Sequence, residues 1–396
     1  MRDALIVIAI LASGAVLFLP RLRHAPVWRA MVTPLASIIG SGFLVLGPIL
    51  DHAYGAWAPA AMLALCAVAW SFGGAIRFNI AYIGETLDPG EQPRAEAFAA
   101  LLLGFAYMIS VAYYLNLFGA FAVSLTPWDT PLAGRLVTTA IYALLLVVGW
   151  RHGFRALETM EYASVAVKLA IISGLLVGLA GFTWGVARSG GLDFSPPQVT
   201  GLEALTLGFG LIITVQGFET SRYLSQSYAP GVRIASMRLA QGVATLIYLV
   251  YILLLAYSFG PGEVPLTETA IIDMMALVSP VMPAFLVAAA LAAQFSAAVA
   301  DTSGSGGLIS ETSGRRIAPR QAYAVTVAIG LALTWTADVF EIIAHASRAF
   351  AAYYAAQSAL AAWRAAGRGR PALAVWFAAL ALLGVAITLF GTPVEA

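Results

Sequence analysis

The chain has 396 residues, of which 61% are hydrophobic and 10% are charged, and its formal net charge is +1. Soluble domains carry about 25% charged residues, so this composition excludes an ordinary soluble protein. The balanced charge also excludes a strongly basic surface for nucleic acid.

Apolar stretches near the length that a helix needs to cross a bilayer recur along the whole chain. Backbone groups in lipid must be satisfied within their own segment, so these stretches are predicted to be helices. The sequence therefore predicts an all-α membrane protein with about 12 transmembrane helices. In chain order, the predicted spans are 3–20, 28–50, 57–83, 97–125, 132–150, 156–184, 202–226, 234–259, 279–312, 319–336, 339–364 and 371–390.

Two of these regions need separate comment. Residues 3–20 resemble a signal peptide in hydrophobicity, but they exceed a usual signal core and lack an A-x-A cleavage site. We interpret them as a retained transmembrane helix. Residues 261–280, between the eighth and ninth spans, are predicted to form an external loop with a short amphipathic helix.

The arginines are concentrated in alternate loops. If the first loop is cytoplasmic, the opposite side holds only Arg2, Arg135 and Arg188. Because cytoplasmic loops are enriched in arginine and lysine, this asymmetry predicts an external N-terminus in a bacterial inner membrane. The cytoplasmic side would hold Arg21, Arg23, Arg29, Arg94, Arg151, Arg155, Arg233, Arg238, Arg315, Arg316, Arg320, Arg364, Arg368 and Arg370.

We predict that two spans are interrupted at mid-depth. The span 28–50 contains Gly40-Ser41-Gly42, and the span 202–226 contains Gly217 close to the carboxyl group of Glu219. A carboxylate facing lipid is costly, so Glu219 is expected to face protein or water. Such glycine-interrupted spans in matching halves of a chain point to a transporter site, although glycine also serves close helix packing.

The two interrupted spans divide the chain into matching halves. We predict an extra N-terminal helix and loop at 1–27, a first five-helix repeat at 28–200, a second at 201–366 and a C-terminal helix at 367–396. Because five is an odd number of spans, the repeats would be inverted in the membrane.

Short motifs at both interruptions resemble the amino acid–polyamine–organocation (APC) transporter superfamily. The run Ile39 to Phe43 is similar to its G-S-G signature, and Gly217-Phe218-Glu219 is similar to its G-F-E signature. Tyr228-Ala229-Pro230 and the segment from Ser313 to Pro319 also resemble its connecting segments. The resemblance covers roughly residues 28–365.

This resemblance implies a leucine-transporter-type fold with five-plus-five inverted repeats and two discontinuous helices. It also implies that Gly40, Ser41 and Gly42 bind the carboxylate of an amino acid, while carbonyls around Thr214 and Gly217 hold its ammonium. The candidate substrate-binding residues are Ile39, Gly40, Ser41, Gly42, Thr214, Gln216, Gly217 and Phe218.

Lys168 is the only lysine of the chain and lies in the middle of the span 156–184. An ionisable group inside the membrane is a functional candidate, with a bracing ion pair as the alternative. In the resembling family, a lysine on this helix can replace the sodium ion of sodium-coupled relatives. We therefore predict sodium-independent transport.

A second polar cluster, Asp301-Thr302-Ser303, lies in the span 279–312. Asp301 is a predicted partner of Lys168, and the two hydroxyl groups are candidates to line an ion site. Alternatively, these hydroxyl groups only form hydrogen bonds between helices. Glu219 is a candidate proton acceptor for coupling, or else a hydrogen-bonded strut at the interruption.

Four residues are candidates for gating. Tyr107 and Tyr113 lie on the helix that flanks the site in this fold, Phe218 adjoins the second interruption, and Arg348 lies in the span 339–364. Most aromatic residues of membrane helices serve packing or interfaces instead. For Arg348 the alternative is a place in the external vestibule.

The predicted function is a secondary active permease for an amino acid or a related small organic amine, by proton symport or exchange. The alternatives are a sodium- or other cation-coupled carrier and a non-transporting membrane sensor of the same fold. The sequence lacks a His-x-x-x-His pair, a G-x-S-x-G motif and a nucleotide-binding loop, so we predict neither an enzyme nor a cofactor or metal. The expected partners are a small-molecule substrate, the proton and the lipid bilayer, without nucleic acid, and the sequence leaves the oligomeric state undetermined.

Overall fold

The computed structural model describes residues 2–19, 21, 25–40, 42–86, 93–151, 161–224, 228–260 and 263–395. These residues form fourteen α-helices and no strand, which confirms the all-α prediction. The helices are α1 Arg2–Leu17, α2 Pro26–Ile38, α3 Gly42–Tyr54, α4 Ala58–Thr86, α5 Arg94–Val123, α6 Pro131–Arg151, α7 Glu161–Arg188, α8 Gly201–Gly210, α9 Pro230–Ala256, α10 Ala270–Val278, α11 Met282–Thr312, α12 Pro319–Thr336, α13 Val339–Gly367 and α14 Pro371–Phe390.

Seven helical stretches of the described chain are long and apolar enough to cross a membrane: Gly42–Glu85, Arg94–Val123, Pro131–Arg151, Ser164–Arg188, Pro230–Ala256, Met282–Thr312 and Pro371–Phe390. The remaining predicted spans are short, broken or more polar. Helix α1 has 16 residues and α8 has 10, whereas α13 carries Glu341, Arg348 and Arg364 along its length. The chain is thus an integral multi-pass membrane protein.

The two spans with a predicted interruption, 28–50 and 202–226, are both broken in the structure. Helix α2 ends at Ile38 and α3 begins at Gly42, while α8 ends at Gly210 and is followed by the 3-10 segments Ile212–Val215 and Phe218–Tyr223. The second broken span therefore does not consist of two α-helical halves, because the part after its break is the 3-10 segment Phe218–Tyr223. Each predicted repeat begins with one of these broken spans, and the division into repeats stays a prediction.

The helices pack in two groups. The first group consists of α2, α4, α9 and the segment Phe218–Tyr223; the second consists of α5, α6, α11 and α12. Helix α13 packs against α4 of the first group and against α5 of the second. Helix α7 contacts α2 and α9 of the first group and α11 of the second, so α7 and α13 connect the groups.

The extra N-terminal helix α1 packs along α7. Ile6 is fully buried there, the hydroxyl groups of Ser13 and Ser173 lie 2.6 Å apart, and Gly174 leaves room for Ile10. At its beginning, Arg2 donates to the carbonyl of Val278 at 2.9 Å, at the end of α10. Helix α10 lies within the stretch for which a short amphipathic helix is predicted.

Candidate substrate site at the crossing of two broken helices

The two helix breaks contact each other through glycine. A Cβ atom on Gly42 would lie 2.8 Å from the Cα of Thr214, and one on Gly217 would lie 2.5 Å from the Cβ of Ser37. Gly217 also has a φ of 113°, a left-handed conformation that side chains disfavour. We call residues 38–42 and 211–218 the crossing; Ser41 lies outside the described residues. Glycine therefore brings the two backbones together here.

Side chains from other helices bind the backbone groups that these breaks release. The Tyr248 hydroxyl on α9 donates toward the carbonyl of Ile38 at 2.9 Å and that of Thr214 at 2.5 Å. On α13, the Ser347 hydroxyl accepts from the Ile213 N–H at 3.0 Å and donates to the Gly210 carbonyl at 2.6 Å. Orphan backbone groups inside a membrane protein require such partners, so both side chains support the irregular backbone.

Apart from Ser41, the predicted substrate-binding residues are buried at the crossing. Ile39 caps the end of α2, and the Thr214 hydroxyl donates to the Leu211 carbonyl at 2.6 Å. The Gln216 amide donates to the Tyr114 hydroxyl at 2.9 Å, while its Oε1 accepts from no described residue. A buried acceptor that lacks a donor is a candidate contact for a ligand.

Glu219 is fully buried directly after the crossing. Its Oε2 accepts from the N–H of Gly217 at 3.0 Å and from the hydroxyl of Tyr354 at 2.9 Å. Its Oε1 is buried and has no hydrogen-bond partner in the described part of the chain. One oxygen thus binds the backbone at the second break, and the other is buried without a described partner.

The tyrosine that binds Glu219 is part of an aromatic stack. Tyr354 lies between Phe72 and Phe218, with ring centroids 5.1 Å and 5.2 Å away and nearly parallel planes. Of the other predicted gating aromatics, Tyr107 packs edge-on against Phe350 with centroids 5.8 Å apart. The Tyr113 ring lies 5.2 Å from that of Tyr114, the partner of Gln216. All three predicted aromatics are thus buried against other rings; Phe218 belongs to the crossing, and Tyr113 lies beside the partner of Gln216.

Lys168 contacts the first broken span. The Lys168 ammonium, on α7, donates to the carbonyl of Ala36 at 2.8 Å, in the last turn of α2. A cation at the C-terminal end of a helix interacts favourably with its carbonyl groups. Lys168 thus places its positive charge just before the first break.

The predicted α11 cluster has its own contacts. Asp301 accepts a hydrogen bond from Ser110 on α5, so the described contacts give its carboxyl group a partner other than Lys168. The Thr302 hydroxyl donates to the Ala298 carbonyl of its own helix at 2.6 Å, while Ser303 is half-buried one residue further on.

Arg348 contacts the last helix. Its Nε donates to the carbonyl of Thr388 at 2.8 Å, near the end of α14. Cationic side chains commonly bind the final carbonyl groups of a helix in this way. The described contacts therefore give Arg348 a helix-capping role.

Sequence reasoning missed Tyr248, Ser347 and Tyr354. Each acts through a hydroxyl group on a helix remote in sequence from the break it contacts, and a tyrosine or serine in an apolar helix carries no local signal of such a contact. Among the described residues, no group of three or more His, Cys, Asp or Glu side chains is arranged to hold a metal ion.

A comparison with protein families assigns the chain to one of them. The sequence model of a family described as "APC superfamily transporter" matches residues 20–391, which leaves α1 outside the match. The chain is also similar to a protein of Aquifex aeolicus (strain VF5), described as an uncharacterized protein. The two are 39% identical over 386 residues, covering 95% of this chain and 93% of the relative.

Proposed function

The chain belongs to the APC superfamily of transporters, and on that premise we propose that it is a sodium-independent permease for an amino acid or a related small organic amine. It would work by alternating access, with proton symport or exchange as the source of coupling. The observation that carries this proposal is the crossing, where two broken helices meet in the protein interior.

The crossing supplies two kinds of backbone group. At the first break, the N–H groups at the start of α3 and its positive dipole end suit a carboxylate. The carbonyl oxygens of Ile38 and Thr214 both lie within hydrogen-bond distance of the Tyr248 hydroxyl. Carbonyl oxygens placed this close together suit an ammonium group. We therefore assign the carboxylate to Gly40, Ser41 and Gly42, and the ammonium to the carbonyls around Thr214 and Gly217.

Two ionisable groups beside the crossing support the choice of coupling ion. Lys168 already places a fixed cation on a carbonyl of the first broken span, which reduces the need for sodium there. Glu219 has one bonded and one unbonded carboxyl oxygen, an arrangement suited to gaining and losing a proton. Asp301, Thr302 and Ser303 remain candidates for the same coupling.

A ligand screen followed by a flux measurement tests the proposal. The purified protein is heated with single amino acids and amines, because a ligand that binds the folded state raises its unfolding temperature. Each stabilising compound is then offered in radiolabelled form to proteoliposomes with and without a pH gradient. Accumulation driven by the gradient, or exchange against internal substrate, is the expected result. Binding without flux would instead favour the membrane sensor, and uptake that requires sodium would favour the cation-coupled carrier.

A further inference from the structure

A buried ionic cluster lies just beyond the crossing, at the end of the segment Phe218–Tyr223. Glu96 forms ion pairs with Arg222 and with Arg364, and the second of these has an N···O distance of 2.6 Å. Side-chain exposure is 9% for Arg222, 4% for Glu96 and 3% for Arg364. Arg364 also donates to Asn79 at 2.8 Å, and Asn79 donates to Gln357 at 2.8 Å.

These residues come from both helix groups. Glu96 is in the first turn of α5, in the second group, whereas Asn79 lies on α4 and Arg222 on the segment Phe218–Tyr223, both in the first group. Arg364 is near the end of α13, the helix that packs against both groups. The carboxylate of Glu96 therefore links the first helix group to the second through its ion pairs.

The two arginines of this cluster depend on its carboxylate. Removing one member of a buried ion pair leaves an uncompensated charge, which is strongly unfavourable in a site closed to water. Two guanidinium groups depend here on a single carboxylate, and Nη1 of Arg222 and Nε of Arg364 are buried without hydrogen-bond partners among the described residues. Water would satisfy these groups if the helix groups separated, so the closed arrangement depends on Glu96.

We propose that the Glu96–Arg222–Arg364 cluster is the cytoplasmic gate of this protein, closed in the present structure. Opening toward the cytoplasm would separate α5 from the segment Phe218–Tyr223 and hydrate the two arginines. The sidedness follows the arginine distribution, which predicts that the ends of α13 and α4 at this cluster face the cytoplasm. This inference rests on the proposed transport function for its purpose, although its test does not require transport.

A reporter cysteine beside Arg222 tests the gate. The only native cysteine, Cys66, is replaced by alanine, and Ser221→Cys introduces a near-isosteric thiol at a fully buried position whose hydroxyl group has no described hydrogen-bond partner. Glu96→Gln is then compared with Glu85→Gln. Glu85 forms a partly exposed ion pair with Arg368, at 2.9 Å, and provides the matched control.

We expect Glu96→Gln to raise the rate of maleimide labelling at position 221 at least tenfold, with Glu85→Gln unchanged. A membrane-impermeant maleimide should reach the thiol in inside-out vesicles and not in right-side-out vesicles. Equal labelling of Glu96→Gln and its parent would overturn the proposal, as would access only from the outside.

A second variant keeps the test informative if Glu96→Gln fails to fold. Asn79→Ala removes the acceptor of Arg364 and leaves every charge in place, and it should raise labelling several-fold. An unchanged rate in a folded Asn79→Ala protein would also count against the gate. Labelling that rises as expected in a protein that moves no substrate would support the gate and overturn the transport function, so the two proposals fail separately.

Discussion

Gly42 and Thr214 lie backbone against backbone, with 2.8 Å between the position of a Cβ on Gly42 and the Thr214 Cα. No side chain separates the two broken spans at this point. The packing of the first break on the second therefore depends on the absence of one carbon atom.

Gly42→Ala should destabilise the protein, because the added methyl group meets backbone that cannot rotate away. Overpacking of this kind costs about 1–3 kcal/mol. Gly242→Ala on α9 is the control, since a Cβ there meets nothing within 4 Å and alanine favours a helix. Unfolding temperatures of the two purified variants provide the comparison, and equal temperatures would contradict the close contact.

Ser347→Ala should also be destabilising, since it leaves the Ile213 N–H and the Gly210 carbonyl without their partner. An unsatisfied buried polar group costs about 1–3 kcal/mol. Ser358→Ala is matched to it, because Ser358 is equally buried on the same helix and its hydroxyl group bonds to no described residue. Thermal unfolding should separate the two variants, and a neutral Ser347→Ala would show that the second break does not need this hydroxyl.

The uptake of substrate should persist when sodium is replaced by choline in proteoliposomes, because the Lys168 ammonium supplies the cation beside the first break. Lys168→Met should reduce uptake about tenfold or more, given that a hydrogen bond to a charged group is worth about 1.5–3 kcal/mol. Uptake that disappears in choline would refute sodium independence. Lys168→Arg, which keeps the charge, is the companion variant.

Glu219→Gln should flatten the pH dependence of uptake, because a neutral amide cannot exchange a proton during the cycle. Its amide can still accept the hydrogen bonds from Gly217 and Tyr354. Glu203→Gln is a control at the exposed beginning of α8. If Glu219→Gln keeps both the rate and the pH profile of the parent, the carboxyl group is a strut and not a proton carrier.

Local sequence was enough to predict the helices and both breaks. A carboxyl group in the middle of an apolar span is costly wherever it occurs, so Glu219 could be recognised without knowledge of its neighbours. Gly42 and Gly217 could be recognised because glycine weakens a helix and both lie beside other polar or small residues. The apolar stretches are similarly local features. These signals led to the crossing.

The partners of the breaks could not be predicted in the same way. Tyr248 is 210 residues from Ile38 in sequence, and Ser347 is 137 residues from Gly210. Their hydroxyl groups gain a function only through tertiary packing. The same holds for Glu96, whose ion pair with Arg222 spans 126 residues. The positions of the arginines in the sequence predicted which loops face the cytoplasm. They did not indicate which carboxylate each arginine would pair with.

Tyr248 has a single hydroxyl proton, yet the carbonyl oxygens of Ile38 and Thr214 both face it. The hydroxyl can serve only one of these acceptors at a time, and the tyrosine is almost completely shielded from solvent. An ammonium group brings three N–H donors. If the proposed substrate binds at the crossing, its ammonium would supply the donor that the tyrosine alone cannot provide. The geometry that holds the two backbones together would then also leave one carbonyl available to the substrate.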